Sequence, residues 1–294
     1  MSSLSHVLAI PCLRYPMSAR NQQLGKTEDI EPHVILHIGT LKTGTTSFQR
    51  WFSDHSAEIT ERHGFRWFTG FFPDARELAA LCIDDNRETP AMALGFFPPR
   101  GTTEWESWAA SVRANVAQQV NGSPTPIVVS CEALSLLRHD AELSRVADLF
   151  PADTTRVVLC LRSPRGFLDS WKSHLEHDFF RRSNDPTSFS YVKEDSWLVD
   201  YESLTGAYRR RFGHDNVTIV DYDRAMAEHG SVVPALAATF LPADAALPEW
   251  RNYRLNKSTR PPRKPVKGLA RPRHYLRYYT WKISRGAKRS LHRP

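Results

Sequence analysis

Val34-Ile-Leu-His-Ile-Gly39-Thr-Leu-Lys42-Thr43-Gly44-Thr45-Thr46-Ser47 is the stretch on which the fold turns. A short apolar run of strand character ends in a Gly- and Thr-rich turn with one lysine inside it. The residues that follow, Ser47-Phe-Gln-Arg-Trp-Phe, read as the first turns of a helix. Strand, glycine loop and helix start form a phosphate cradle, because free N–H groups point outward and the helix dipole favours negative charge. The glycines let the backbone come close, and the Thr hydroxyls and Lys42 add donors and positive charge. A phosphorylated ligand held by Gly39, Lys42, Thr43, Gly44, Thr45, Thr46 and Ser47 is the expectation.

Gly39 and Gly44 have the G-x-x-x-x-G spacing of a Walker A loop, but Thr45 stands where a nucleoside triphosphatase places its lysine. Here the lysine comes two residues before the second glycine, which argues against an ordinary ATPase or kinase. The loop resembles instead the 5′-phosphosulfate-binding loop of the sulfotransferases that use 3′-phosphoadenosine 5′-phosphosulfate (PAPS), whose core reads K-[ST]-G-T-T. Taken by itself, the same stretch also reads as a plain Gly-rich turn between strand and helix.

Two further elements extend the resemblance. Arg156-Val-Val-Leu-Cys-Leu161 is a second buried-strand run, leading into Arg162-Ser-Pro-Arg-Gly-Phe-Leu-Asp-Ser170-Trp171. Ser163 as cap and Pro164 at the first position predict a helix with Ser170 about two turns in. Arg162 offers a bidentate fork to phosphate and Ser170 a hydroxyl. In the sulfotransferases an Arg at a strand end and a Ser eight residues later bind the 3′-phosphate, so the resemblance implies that role for Arg162 and Ser170. Their bland reading is a surface Arg and a helical Ser. Pro126-Ile-Val-Val-Ser-Cys-Glu132-Ala-Leu-Ser135 is a third strand, ending in a carboxylate. The family's general base follows this strand, a His in some branches and a Glu in several carbohydrate-sulfating and bacterial ones, which implies that Glu132 is the base and Lys42 its catalytic partner. Partial burial would raise the carboxylate's pKa and improve it as a base. A Glu capping the next segment or pairing with an Arg is the alternative. Some members carry a lysine two residues before the base. Here that position is Ser130, which leaves part of the charge stabilisation to Lys42 or to a residue the sequence does not identify.

Strands alternating with helices predict an α/β fold: a P-loop-like parallel sheet with helices on both faces, in a single domain. The expected organisation is a flexible segment over 1–31, the domain over 32–262 and a basic tail over 263–294. Expected helices follow the loop to about His55 and His63. Others begin at a Thr103-Glu-Trp-Glu106 capping box, at an Asp140 cap and at Trp197. The polar stretch 181–195 reads as a mobile loop near the site. Residues 65–100 are aromatic and proline-rich, and Trp67, Phe72 or Phe97 could stack on a sugar, although core packing is the commoner fate of such rings. His37 inside the first strand reads as a satisfied core histidine. His174 and His177 have i, i+3 spacing but no further ligand cluster, so no metal is expected.

The chain has 294 residues, enough for one sizeable core, and a hydrophobic fraction of 41%. No apolar run reaches membrane-span length. Cys12, Cys82, Cys131 and Cys160 form no CxxC pair or disulfide framework, which predicts a reducing, cytoplasmic setting. Residues 1–249 carry 24 basic and 32 acidic side chains, a net of −8, whereas the last 45 residues supply +15 and no acid. In that tail Leu276, Tyr279 and Ile283 share one helical face among basic residues, a pattern suited to an anionic membrane surface and hence to a peripheral place on its inner face. A solvated basic tail is the competing reading. No nucleic-acid recognition motif is present. Arg251, Arg254, Asn256, Lys257 and Arg260 occupy a segment where sulfotransferases often close over the nucleotide, but the usual G-x-x-G-x-x-K pattern is missing. The resemblance therefore implies sulfuryl transfer from PAPS to an acceptor hydroxyl, of a carbohydrate or glycolipid by analogy with Glu-base members. A kinase on the same loop type, or a non-catalytic membrane-docked nucleotide-binding protein, are the alternatives.

Overall fold

Runs of apolar, β-branched residues with no polar alternation form strands buried on both faces, and such strands assemble in parallel with helices covering each side. In the computed structural model, which describes residues 32–178 and 180–253, this is what the chain does. The order is β1 (Val34–His37), α1 (Thr45–Asp54), α2 (Ser56–His63), β2 (Arg66–Trp67), α3 (Glu77–Cys82), α4 (Pro90–Ala93), α5 (Thr103–Asn121) and β3 (Ile127–Ser130). A 3₁₀ turn over Glu132–Leu136 precedes α6 (Asp140–Leu149), β4 (Thr155–Leu161) and α7 (Pro164–His177). A second 3₁₀ turn, Trp197–Val199, leads into α8 (Tyr201–Phe212), β5 (Val217–Asp221), α9 (Tyr222–His229) and α10 (Val233–Ala237), and Arg251–Tyr253 form a last 3₁₀ turn.

The five strands lie in the order β2-β3-β1-β4-β5, and every neighbouring pair is parallel. Successive side chains alternate between faces. Leu36, Val129, Val157 and Leu159 pack with Leu78, Val112, Val146, Leu204 and Phe212 of α3, α5, α6 and α8. Ile35, Val128, Val158 and Cys160 pack with Trp51 and Phe52 of α1, Ile59 of α2 and Leu236 of α10. The connection after β1 thus leaves towards one face and the connection after β3 towards the other. Between adjacent strands this opens a crevice at their carboxyl ends, the place where open parallel sheets bind ligands.

A third apolar cluster roofs that end of the sheet. Leu41 of the glycine loop sits with Phe167, Leu168, Trp171 and Leu175 of α7 and with Phe189, Val192 and Leu198. Residues 181–195, expected as a mobile loop, are therefore anchored: Phe189, Tyr191 and Val192 are buried, and Trp171 Nε1 donates to the Phe189 carbonyl at 2.9 Å. Most of their polar residues face out, and Phe189 and Val192 dock onto α7.

Helix starts also differ from expectation: the helix expected from Trp197 begins at Tyr201, after the 3₁₀ turn. Thr102, in extended conformation (φ −98°, ψ 157°), caps α5 by accepting from the Trp105 N–H at 3.2 Å, so Thr103 is already helical. His139 precedes α6, its N–H donating to Glu142 Oε2 at 3.0 Å, and Asp140 is the first helical residue. Pro164 does open α7, but Ser163 gives no side-chain cap; its N–H donates to Asp223 Oδ2 at 2.8 Å instead. Cys82, Cys131 and Cys160 are free and buried. Among the described residues no helix is long and apolar enough to cross a membrane. The expectations for residues 1–31, for Arg254 to Arg260 and for the basic tail fall outside the described residues, as does the boundary at 262.

Candidate active site

The glycine loop takes the conformation its composition allows. Gly39 (φ 52°), Lys42 (φ 67°) and Gly44 (φ 75°) all lie in the left-handed region. That is free for glycine and costs about 1–2 kcal/mol for Lys42. Strain of this kind persists where the surroundings hold it. Here Thr43 Oγ1 donates to the Thr40 carbonyl (2.6 Å), Thr40 is tied by N–H and hydroxyl to the Cys160 carbonyl (2.9 and 3.2 Å), and Arg162 Nη1 donates to the Lys42 carbonyl (3.4 Å). Left-handed residues alternating with right-handed ones turn successive N–H groups into one concavity. No acceptor among the described residues takes the N–H of Lys42, Thr43, Gly44, Thr45 or Thr46, and no side chain caps α1 at Gly44. An uncapped helix start with five free donors suits an anion.

Within the loop the side chains divide. Thr46 is exposed, Lys42 and Gly44 partly so, whereas Thr43, Thr45 and Ser47 are buried. The Thr43 hydroxyl is spent on Thr40, so Thr43 offers a ligand its backbone. A Cβ on Gly44 would meet Val232 Cγ1 at 2.9 Å. One on Gly39 would lie 3.2 Å from Thr45 Oγ1 and 3.5 Å from the Glu132 Cβ, so Gly39 lets the loop and Glu132 approach each other.

Glu132 arrives from β3. The Cys131 N–H donates to the His37 carbonyl at 2.9 Å, which continues the β3–β1 pairing to the site, and the 3₁₀ turn starts at Glu132. Beneath it, Ser130 Oγ contacts His37 Nδ1 (2.9 Å) and accepts from Gln49 Nε2 (3.2 Å), linking the strand under Glu132 to the helix under the loop. His37 is only half satisfied: Nε2 has no partner, and burial pushes its pKa down to about 3, so it stays neutral. Glu132 keeps part of its surface exposed, while its carboxyl group is surrounded by protein. Burial first, and then the nearby Asp74 carboxylate, raise its pKa above the ordinary value, against the opposing pull of Thr45, Lys42 and Arg76. The Thr45 hydroxyl faces Glu132 without completing a well-formed hydrogen bond. A carboxylate raised in this way is a stronger base than an ordinary one.

Arg162 leaves the end of β4 beside the loop. Its guanidinium lies 5.1 Å from the Tyr222 ring, and its buried Nε has no partner. Gly166 makes room for it, since a Cβ there would lie 3.0 Å from Arg162 Nε and 2.8 Å from Ser163 Oγ. Gly166, Ser170 and His174 follow at i, i+4 spacing along one face of α7, and Ser170 is partly exposed. The fold thus brings together the loop, Glu132 and Arg162, with Ser170 on the adjoining helix face.

Three polar neighbours of the site were not assigned to it from the sequence. Asp74 and Arg76 act electrostatically on Glu132, and His174, its ring tilted 38° to that of Trp171 at 4.9 Å, feels both Lys42 and Arg76. Burial and the two cations depress the His174 pKa, against Asp178. Its spacing to His177 was read for metal chemistry, whereas its place beside the cleft comes from packing. Of the candidate sugar platforms, Trp67 stacks on Phe52 at 4.7 Å as core, and Phe72 packs edge-on against Phe96 and Phe97 at 6.0 and 5.6 Å. Asp84, His139 and Glu142 bring potential metal ligand atoms within 4.8 Å of one another. Arg145 holds Asp84 and Arg87 holds Glu142, so this cluster is an ion-pair node. Arg251 lies over the Trp250 ring at 4.9 Å.

No family model and no curated protein matches the chain. Solved structures are similar to it, two of them sulfotransferases. A sulfotransferase from Alicyclobacillus acidocaldarius is 14% identical, with 75% of this chain and 85% of that one covered and a TM-score of 0.47. The sulfotransferase domain from the curacin biosynthetic pathway is 11% identical, with 72% and 75% covered and a TM-score of 0.38. Both of these structures are described as sulfotransferases.

Proposed function

We propose that the protein transfers a sulfuryl group from PAPS to an acceptor hydroxyl. One observation carries the reading: an uncapped, cation-bearing N–H nest and a buried carboxylate of raised pKa meet across Gly39 at the carboxyl edge of a parallel sheet. The nest, with Lys42, Thr45 and Thr46, fits the 5′-phosphosulfate. The unpartnered Arg162 Nε and the Ser170 hydroxyl fit a second phosphate, the 3′ group, at the neighbouring strand end.

The acceptor oxygen attacks sulfur as its proton passes to Glu132. The S–O bond to the 5′-phosphate breaks, and its electron pair leaves on the phosphate oxygen. Lys42 and the nest neutralise the charge that builds there, which is the moment at which preorganised donors contribute most. Positioning of donor and acceptor supplies much of the remaining rate, as in phosphoryl transfer. The acceptor class under this reading is carbohydrate or glycolipid, and the basic tail would bring the enzyme to an anionic, cytoplasm-facing membrane surface.

Calorimetric titration with adenosine 3′,5′-bisphosphate, with ATP plus magnesium as comparison, tests the donor site. Magnesium-independent binding of the bisphosphate is expected. Preference for ATP with magnesium would replace this reading with a kinase.

A further inference from the structure

Beside Glu132 stands an ion pair that the donor site does not use. β2 and β3 are parallel neighbours, so the chain leaving β2 passes the same sheet edge as Glu132, and α3 packs against the 3₁₀ turn that Glu132 begins. Between β2 and α3 the chain makes a tight turn. The Ala75 N–H donates to the Phe72 carbonyl at 2.9 Å, and buried Ala75 is held left-handed at φ 49°. Glu77 Oε1 takes the Phe71 N–H at 2.7 Å, in a space that a Cβ on Gly70 would fill. The turn carries Asp74 and Arg76, joined by three contacts of 2.6, 2.7 and 3.0 Å. The Arg76 guanidinium lies 5.5 and 5.4 Å from the Phe72 and Phe96 rings.

An ordinary surface ion pair is mobile and contributes little. This one is fixed by a strained backbone and two rings, yet its side chains keep 33% (Arg76) and 20% (Asp74) of their surface open. Strain invested in rigid presentation points to a ligand. The pair is neutral as a whole, so it repels neither a cation nor an anion less than the other. What it matches is a group that donates and accepts at once, which is a hydroxyl: the O–H donates to Asp74, and its oxygen accepts from Arg76 Nη1, which has no partner among the described residues. Phe71, 51% exposed on the same turn, offers an apolar face.

We propose that Asp74 and Arg76 form an acceptor subsite that binds a second hydroxyl next to the one sulfated, so that the acceptor is an uncharged vicinal diol. The inference rests on the sulfuryl-transfer reading and narrows its acceptor. An alcohol with a single hydroxyl would meet Glu132 but leave the pair unused.

The experiment compares trans-1,2-cyclohexanediol with cyclohexanol as acceptors of ³⁵S-sulfate from PAPS, in wild type, Asp74→Asn and Arg76→Gln, with bisphosphate binding measured alongside. Asp74→Asn is isosteric and preserves the turn if Arg76→Gln does not fold. A hydrogen bond to a charged group predicts a wild-type kcat/KM ratio of roughly tenfold or more in favour of the diol, falling towards unity in the variants, with bisphosphate affinity kept within about twofold. Equal use of both alcohols by the wild type, an undiminished ratio in Asp74→Asn, or bisphosphate binding with no transfer to the diol would each overturn the subsite and leave the donor site standing. Failure of the wild type to bind the bisphosphate would overturn the sulfuryl-transfer reading and the subsite with it.

Discussion

Gly44→Ala is the sharpest test of the loop geometry, because two separable costs meet at one atom. The first is conformational: at φ 75° an alanine pays about 1–2 kcal/mol relative to its preferred backbone. The second is steric, since the new Cβ would stand 2.9 Å from Val232 Cγ1 in the core beneath α1. Overpacking of this kind costs about 1–3 kcal/mol. Together they predict a loss of about 2–5 kcal/mol, a large part of the 5–15 kcal/mol typical of a domain. Val232→Ala removes the offending methyl and leaves Tyr222 Cε2 at 3.5 Å and Val232 Cβ at 3.7 Å, both ordinary contacts. The double variant should therefore recover the steric part and keep the conformational part, giving a coupling of about 1–3 kcal/mol in a double-mutant cycle. Urea unfolding read by linear extrapolation measures all four corners. Because Gly44 also starts the helix whose free N–H groups are proposed to hold the donor's phosphate, bisphosphate affinity should fall in Gly44→Ala and recover only partly in the double variant. Additive energies, with coupling below about 0.3 kcal/mol, would refute the contact. A neutral Gly44→Ala would refute the left-handed loop itself.

Three further expectations follow from the site. Glu132→Gln should lower turnover by about 10²–10⁴ with little change in bisphosphate affinity, and a preserved rate would remove Glu132 as the base. The same variant should be more stable than wild type at pH 7. A carboxyl whose folded pKa lies above its unfolded value leaves the native state binding more protons, so wild-type stability falls as pH rises from the unfolded value through the folded one. The two unfolding midpoints should converge below about pH 4.5, and a variant less stable at pH 7 would contradict the burial of the carboxylate. Arg162→Ala should weaken bisphosphate binding roughly tenfold to a hundredfold while sparing adenosine 5′-phosphosulfate, which lacks the 3′-phosphate; equal losses would place Arg162 elsewhere. Trp171→Ala, at the centre of the roof that holds Leu41, should cost about 3–5 kcal/mol in urea unfolding, and a loss below about 1 kcal/mol would show that the roof is not packed.

Local signals were legible where local physics decides the outcome. Val34 to Leu36 and Ile127 to Val129 carry no polar alternation, so they could only be strands covered on both sides. The glycines at 39 and 44 announced a left-handed loop, and Pro164 announced a helix start. Helix caps were less legible, because Thr102 and Thr103 are chemically equal candidates and only backbone direction separates them. The 181–195 stretch misled because its composition is polar, while two of its residues, Phe189 and Val192, find partners more than ten residues away on α7.

The site shows the same division. By itself the sequence determined the nest, its lysine and the strand-end positions of Glu132 and Arg162, since each depends on residues within one strand–loop–helix unit. The tertiary structure alone decided that β3 lies against β1, so that Glu132 faces Lys42, and that β2 lies outside β3, so that Asp74 and Arg76 reach Glu132 from a turn without a motif. It also turned His174 towards the cleft and made Ser130 a buried tie to His37 and Gln49. Strand order and burial are properties of the assembled sheet, and a carboxylate's pKa, a strained turn's purpose and a helix face's direction take their values only from the neighbours that assembly supplies.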